Sequence, residues 1–436
     1  MLDIPFVSDT LDNGLDVIVH EDRRCPIVAV NVWYHVGSKN EVPGRTGFAH
    51  LFEHLMFEGS AHHDRGYFHP LQEAGAALNG STNADRTNYW EVVPVNALDL
   101  ALWMESDRMG WLLPALTEAK FNNQRDVVLN ERRQNYENRP YGLATMALVG
   151  ALHPEGHPYH SLTIGSAEDL RASDVDEARA FLARYYHPAN ASLVLAGDVD
   201  AGRALELARR YFGDIPAGPA VAPVTVDAPP LAGDMRLLLE DRVELPRLYL
   251  GWHSPAHFAD GDAELDMVAD LMANGKTSRL YRALVYERRV ATEVAASQNS
   301  RELSSFFQIV ATASPGHSLA ELDAAIMEEL ARVACDGPEE AEMERAAAQA
   351  EAHFILRLQT VGGFGGKSDQ LNAYNVLLGD PGRFGQDMAR YRGASADRLR
   401  RAAAAWLRPS ARVALSVVPD GRADLALAGA APVAVS

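Results

Sequence analysis

Three ionisable residues, His50, Glu53 and His54, stand inside an otherwise apolar stretch, GFAHLFEHLMF, at positions 47–57. Phe48, Leu51, Phe52, Leu55, Met56 and Phe57 recur at helical spacing, so the stretch reads as a buried helix. Residues four apart share one helical face, one turn apart, and both imidazoles can therefore point at one ion. Neutral imidazole nitrogens suit zinc. Glu53 falls three residues after His50, close to the same face. A carboxylate there can stand beside a metal-activated water without ligating, take its proton and pass it to a leaving amine. The alternative is a core helix whose polar groups are satisfied by backbone and water. Three such groups make that costly, since each unsatisfied one loses about 1–3 kcal/mol.

A catalytic zinc wants a third protein ligand and leaves one position open. The segment TEAKFNNQRDVVLNERRQNYEN (117–138) reads as a helix opened by Thr117 and Glu118. Its apolar residues Phe121, Val127, Val128 and Leu129 leave Glu131 near a buried stripe. Asp126 and Glu137 are rivals, and spacing alone does not choose among the three.

The surrounding chain reads as two related halves. The stretch 213–234 holds five prolines without periodicity and reads as an extended linker. It separates a domain at 1–212 from one at 235–436. DVIVHEDRRCPIVAVNVWYHVGS (16–38) resembles MRLLLEDRVELPRLYLGWHSPA (235–256), each a strand, an acidic turn and a second strand. HLMFEGS (54–60) aligns with DLMANGK (270–276), and YHPANASLVLAGDVD (186–200) with LRPSARVALSVVPDG (407–421). On this alignment His50, Glu53 and His54 correspond to Asp266, Ala269 and Asp270, so a site built on the trio belongs to the first half. Helical stretches are expected at 97–113, 118–137, 173–186, 198–212, 262–286, 319–333, 338–358 and 395–407. Hairpin-like strand pairs mixed with these helices give an α+β class, each half a mainly antiparallel sheet packed with helices.

Composition narrows the functions. The chain has 436 residues, 47% hydrophobic and 23% charged, enough for more than one core. Its net charge of −19 argues against a nucleic-acid partner, which needs a basic footprint. No apolar run is long enough to span a membrane. The first residues lack a secretory pattern, which gives a cytoplasmic expectation, or a periplasmic one had a signal peptide been removed. Cys25 and Cys335 are too few and too far apart for a disulfide framework or sulfur ligation.

The pattern H-x-x-E-H is the inverted zincin motif. With it the chain resembles the pitrilysin/insulinase family of zinc peptidases, especially half-length subunits similar to mitochondrial processing peptidase and its bacterial relatives. LNGSTNADRTNYWEVVP (78–94), NERRQNYENRPYG and EGHPYH resemble family segments as well. The resemblance implies a duplicated α+β fold and an active-site Zn2+. It implies Glu53 as the catalytic base, with His50, His54 and Glu131 as metal ligands, Glu131 following His54 after 76 intervening residues. It implies two such chains closing around a chamber. Two departures stand out. Gln124 occupies a place where the family often has glutamate. Val285 and Thr292, in LVYERRVATEV (284–294), stand where its arginine and tyrosine would be. The implied partner is a homologous subunit supplying that pair, a heterodimer, with a homodimer as the alternative.

The strand near 78–90 alternates, and an open edge there could pair with an extended peptide substrate. Asn79, Gly80, Ser81 and Thr82 are the candidates, against an ordinary paired strand. HPEGHPYH (153–160) holds three histidines, but its prolines and glycine make a structural loop the better reading. VGGFGGKS (361–368) lacks the first glycine of a phosphate loop and reads as a turn between helices. The expected function is a zinc metalloendopeptidase subunit. The rival is a non-catalytic peptide-binding or scaffold subunit of the same fold.

Overall fold

The computed structural model describes residues 3–226, 231 and 233–435. Among them the chain builds two six-stranded sheets. The first contains β1 (Val7–Thr10), β2 (Asp16–Glu21), β3 (Ile27–Tyr34), β4 (Ala77–Thr82), β5 (Thr87–Pro94) and β6 (Ala191–Gly197). The second contains β7 (Asp234–Asp241), β8 (Arg247–Ser254), β9 (Ala291–Asn299), β10 (Ser305–Ala313), β11 (Arg412–Pro419) and β12 (Ala431–Pro432).

Their orders are β1-β2-β6-β3-β5-β4 and β12-β7-β11-β8-β10-β9. Strand for strand, β2, β6, β3, β5 and β4 match β7, β11, β8, β10 and β9. The directions match too, since β2–β6 and β7–β11 are parallel while β3–β5 and β8–β10 are antiparallel. Only the outermost strand differs: β1 precedes its neighbour and runs antiparallel to it, whereas β12 arrives from the chain end and runs parallel. The fold is α+β, with two sheets of mostly antiparallel strands packed with helices, and the repeat in sequence is a repeat in topology.

Five helices position the groups of interest: α1 (Phe48–Leu55), α2 (Glu118–Arg132), α3 (Ala144–Leu152), α4 (Asp262–Ala273) and α5 (Lys367–Leu378). The chain forms two compact units, and these are not the contiguous spans 1–212 and 235–436. One comprises Met1–Asn130, Leu162–Val224 and His353–Gln386, the other Glu131–Ser161, Thr225–Ala352 and Asp387–Ser436. Each sheet forms from its own span, but the spans exchange helices. In the first unit α5 lies on β6, β3 and β2; in the second α3 lies on β8 and β11. The central strands explain this. All seven residues of β6 and seven of the eight in β11 are buried, so both faces of each sheet need cover.

Other expectations shift locally. The stretch 262–286 is not one helix. Gly275, at φ 81°, ends the first part, and a π-helical segment Tyr281–Glu287 follows. The helix expected over 118–137 turns π-helical at Arg133–Glu137, just beyond Glu131. The proline-rich stretch forms no helix or strand over 216–226, while the part of the 213–234 linker at 227–230 and 232 lies outside the described residues.

Candidate metal centre

α1 joins β3 to the edge of the first sheet and packs against β4. Its core face is Phe48, Ala49, Leu51, Phe52 and Leu55, all buried. Phe52 stacks on Phe181, with ring centroids 5.2 Å apart. This packing turns the opposite face outward, where His50, Glu53 and His54 are each only partly buried. The two imidazoles stand edge to face, centroids 4.9 Å apart and planes at 88°. Burial first, and then the neighbouring His54, push His50 down to about 4. Its ring is therefore neutral at ordinary pH, the state that can ligate.

Glu131 sits on the last turn of α2, an unbroken helix whose residues up to Asn130 pack in the first unit. One ligand atom from each of His50, His54 and Glu131 lies within 4.8 Å of the others. Two imidazole nitrogens and a carboxylate oxygen at that separation fit a borderline-soft divalent ion such as zinc. The rivals do not join this group. Asp126 is exposed, and Glu137 pairs with Arg132 at 2.8 Å. No other group of three or more such ligands occurs among the described residues. His153 and His157 are instead buried beside His253, with ring centroids 4.6 Å and 5.4 Å from that of His153, inside the second unit.

Glu53 is not part of the three-ligand group. Its carboxylate is among the charges that raise the phenols of Tyr89 and Tyr186, after burial as the main cause. Gln124 donates to Glu58 Oε1. A glutamate there would face a second carboxylate across the same short contact.

The four candidate substrate residues lie on β4, the outermost strand of its sheet. β4 pairs with β5 on one side, Asn79 opposite Trp90 and Ser81 opposite Asn88. Gly80 is buried, and a Cβ there would lie 3.0 Å from Tyr89 and 3.1 Å from Phe57, so the strand runs close to the core beneath α1. Asn79 Oδ1 accepts the Gly80 N–H at 2.8 Å. Arg86 donates to the carbonyl and hydroxyl oxygens of Ser81, at 2.8 and 2.6 Å, and Thr82 hydrogen-bonds to Thr87. The Arg86 contacts were not foreseen, because nothing in local spacing shows which carbonyl a side chain will reach.

Comparison with known proteins agrees with this fold. Residues 16–155 match the family described as Insulinase (Peptidase family M16), and residues 173–350 match the Peptidase M16 inactive domain. The chain belongs to the M16 peptidase family. It is 29% identical over 358 residues to the zinc protease PqqE of Helicobacter pylori, covering 81% of this chain and 80% of that one. The crystal structure of a protease from Helicobacter pylori superposes with a TM-score of 0.87 at 26% identity, over 96% of this chain and 100% of that one. A structure of a peptidase M16 inactive domain from Pseudomonas fluorescens shares the fold, with a TM-score of 0.84 at 17% identity, over 99% of this chain and 100% of that one.

Proposed function

We propose that the chain is the catalytic subunit of a zinc metalloendopeptidase that hydrolyses extended peptides in a chamber closed with a homologous subunit. The observation that carries this reading is the convergence of His50, His54 and Glu131, with Glu53 on the same helix as the two histidines. The zinc protease name of the Helicobacter pylori relative supports it.

A zinc ion held there supplies a Lewis acid for a scissile carbonyl and an attacking water. His50 and His54 offer it imidazole nitrogens and Glu131 a carboxylate oxygen. Glu53 takes one proton from the water as its oxygen adds to the carbonyl carbon, and returns that proton to the amine nitrogen as the C–N bond breaks. β4 would align the peptide by adding it to the sheet edge as a further strand through Asn79, Gly80, Ser81 and Thr82. The second unit contributes no trio, since Asp266 and Asp270 take the corresponding places. A non-catalytic, peptide-binding role has one observation in its favour: Val285 and Thr292 cannot act as arginine and tyrosine donors.

The deciding experiment is Glu53→Gln. The amide cannot accept the proton, so the variant should retain about one zinc per chain while peptide hydrolysis is lost. Loss of zinc would make Glu53 a ligand. Equal and negligible hydrolysis by parent and variant, with any partner present, would favour the non-catalytic role.

A further inference from the structure

The helix that carries His50 and His54 is two turns long, and nothing within it caps its start. Gly47, at φ 92°, has no side chain to accept a hydrogen bond, and the first turn contains no acidic residue. The first N–H groups of any helix lack intrahelical acceptors, and in a buried place an unmet one is costly. Gly47 and Ala49 are both buried. A single carboxylate from outside the helix meets both. Glu41 Oε2 accepts the Gly47 N–H at 3.0 Å, and Oε1 accepts the Ala49 N–H at 2.8 Å.

The residues around this clamp are fixed independently. Asp169 Oδ2 accepts the Thr46 N–H at 2.9 Å and the Thr46 hydroxyl at 2.6 Å. The Ser166 N–H donates to Thr46 Oγ1 at 2.8 Å. The backbone of Gly165 approaches Gly47 so closely that a Cβ at 165 would lie 2.4 Å from the Gly47 nitrogen.

We propose that Glu41 is a positioning residue for the metal centre, fixing the first turn of α1 and through it the direction of the His50 ring. The inference rests on the zinc reading of His50, His54 and Glu131. His50 directly follows Ala49, so a shift of the Ala49 backbone moves the imidazole. Glu41→Ala removes both acceptors. Glu41→Gln keeps one oxygen but turns an NH2 group toward an N–H donor.

The test measures zinc affinity by competition with a chromophoric chelator, and the visible spectrum of the cobalt(II)-substituted chain. The parent is compared with Glu41→Gln, Glu41→Ala and Asp369→Asn, the last a control for stability lost elsewhere in the same unit. The Glu41 variants should bind zinc about 10–100-fold more weakly, the range for groups behind metal ligands, with shifted cobalt bands. Asp369→Asn should match the parent in both readouts. Unchanged affinity and an unchanged cobalt spectrum in both Glu41 variants would overturn the positioning role alone. An equal loss in Asp369→Asn would overturn it too, by showing general destabilisation. A parent that binds no zinc overturns the metal reading and this inference with it. If Glu41→Ala does not fold, Glu41→Gln carries the measurement.

Discussion

Replacing Asp369 by alanine should unfasten α5 from the first sheet. Asp369 stands in the first turn of α5 and is buried. Its Oδ1 accepts Trp33 Nε1 at 2.8 Å and Asn88 Nδ2 at 3.1 Å, and its Oδ2 accepts the Gly365 N–H at 2.8 Å. A fourth contact, from Asn31 Nδ2 at 3.4 Å, is too long to count for much. Alanine leaves three donors unmet, and each costs about 1–3 kcal/mol unless water reaches it. Against that, the carboxylate no longer has to be stripped of water. With that relief offsetting part of the cost of the three unmet donors, the net loss should be about 3–5 kcal/mol. At about 2–4 °C per kcal/mol for a unit of this size, the melting temperature should fall by about 6–20 °C. Asp369→Asn keeps the acceptor for Trp33 and should lose less, about 1–2 kcal/mol. Calorimetry of the metal-free chain, parent against variants, reads this directly. A fall of less than about 2 °C in Asp369→Ala would mean the three donors find other partners at no cost, refuting the network as the fastening of α5.

Glu131→Ala should empty the zinc site, measured as metal per chain after gel filtration; full occupancy would move the third ligand elsewhere. Acid should destabilise the second unit through its histidine cluster. Burial, with His157, His253 and Arg301 adding repulsion, holds His153 down to about 3. The folded chain therefore binds fewer protons than the unfolded one between pH 6.5 and about 3. Stability is complete above that window and falls with pH inside it, by about 1.4 kcal/mol per unit for this one imidazole. Denaturation of metal-stripped protein across that range should show a shallower acid limb in His153→Leu than in the parent. The chain assayed alone should turn over about 10²–10³-fold more slowly than with a companion that lacks H-x-x-E-H but supplies arginine and tyrosine donors. Equal activity with and without such a companion would defeat the split-site idea.

The motif helix, the duplicated order of elements and the α+β class were legible because each rests on local periodicity. His50, Glu53 and His54 fall within little more than one turn, a spacing that one helix expresses by itself. Glu131 was only one of three carboxylates on spacing, and the family resemblance singled it out; the geometry that sets it beside the histidines depends on how α2 packs. The exchange of α3 and α5 between the spans was not legible. Neither helix was among the expected ones, and what places them is an uncovered sheet face formed by strands far along the chain. Glu41 was missed for a similar reason. The signal was there, a glycine-led helix without its own cap and an acid six residues upstream, but only a structure shows the loop bringing the two together.

The second unit shows why the proposed metal chemistry belongs to one half although the frame is doubled. α4 sits between β8 and β9 as α1 sits between β3 and β4, and it too starts at a left-handed glycine, Gly261 at φ 96°. Beyond their carboxyl ends, Gly59 and Gly275 keep the two segments in step at φ 96° and 81°. What differs is how the side chains at the three positions are used. Asp266 accepts the Tyr391 hydroxyl at 3.0 Å, and Asp270 accepts Asn274 Nδ2 at 3.0 Å. Asp266 thereby ties α4 to a neighbouring element, Asp270 bonds to the end of its own helix, and Ala269 offers no base. The backbone that presents a trio at one helix thus serves as a packing element at the other. α4 also caps itself, with Glu264 accepting the Gly261 N–H at 3.1 Å, whereas α1 takes its cap from Glu41 outside the helix. The first turn of α4 is held further by Arg390 on Asp262 at 2.9 Å and Arg398 on Glu264 at 2.6 Å. Under the proposed zinc reading α1 holds two ligands in register with a third on α2, and it gains from being tied to the chain around it.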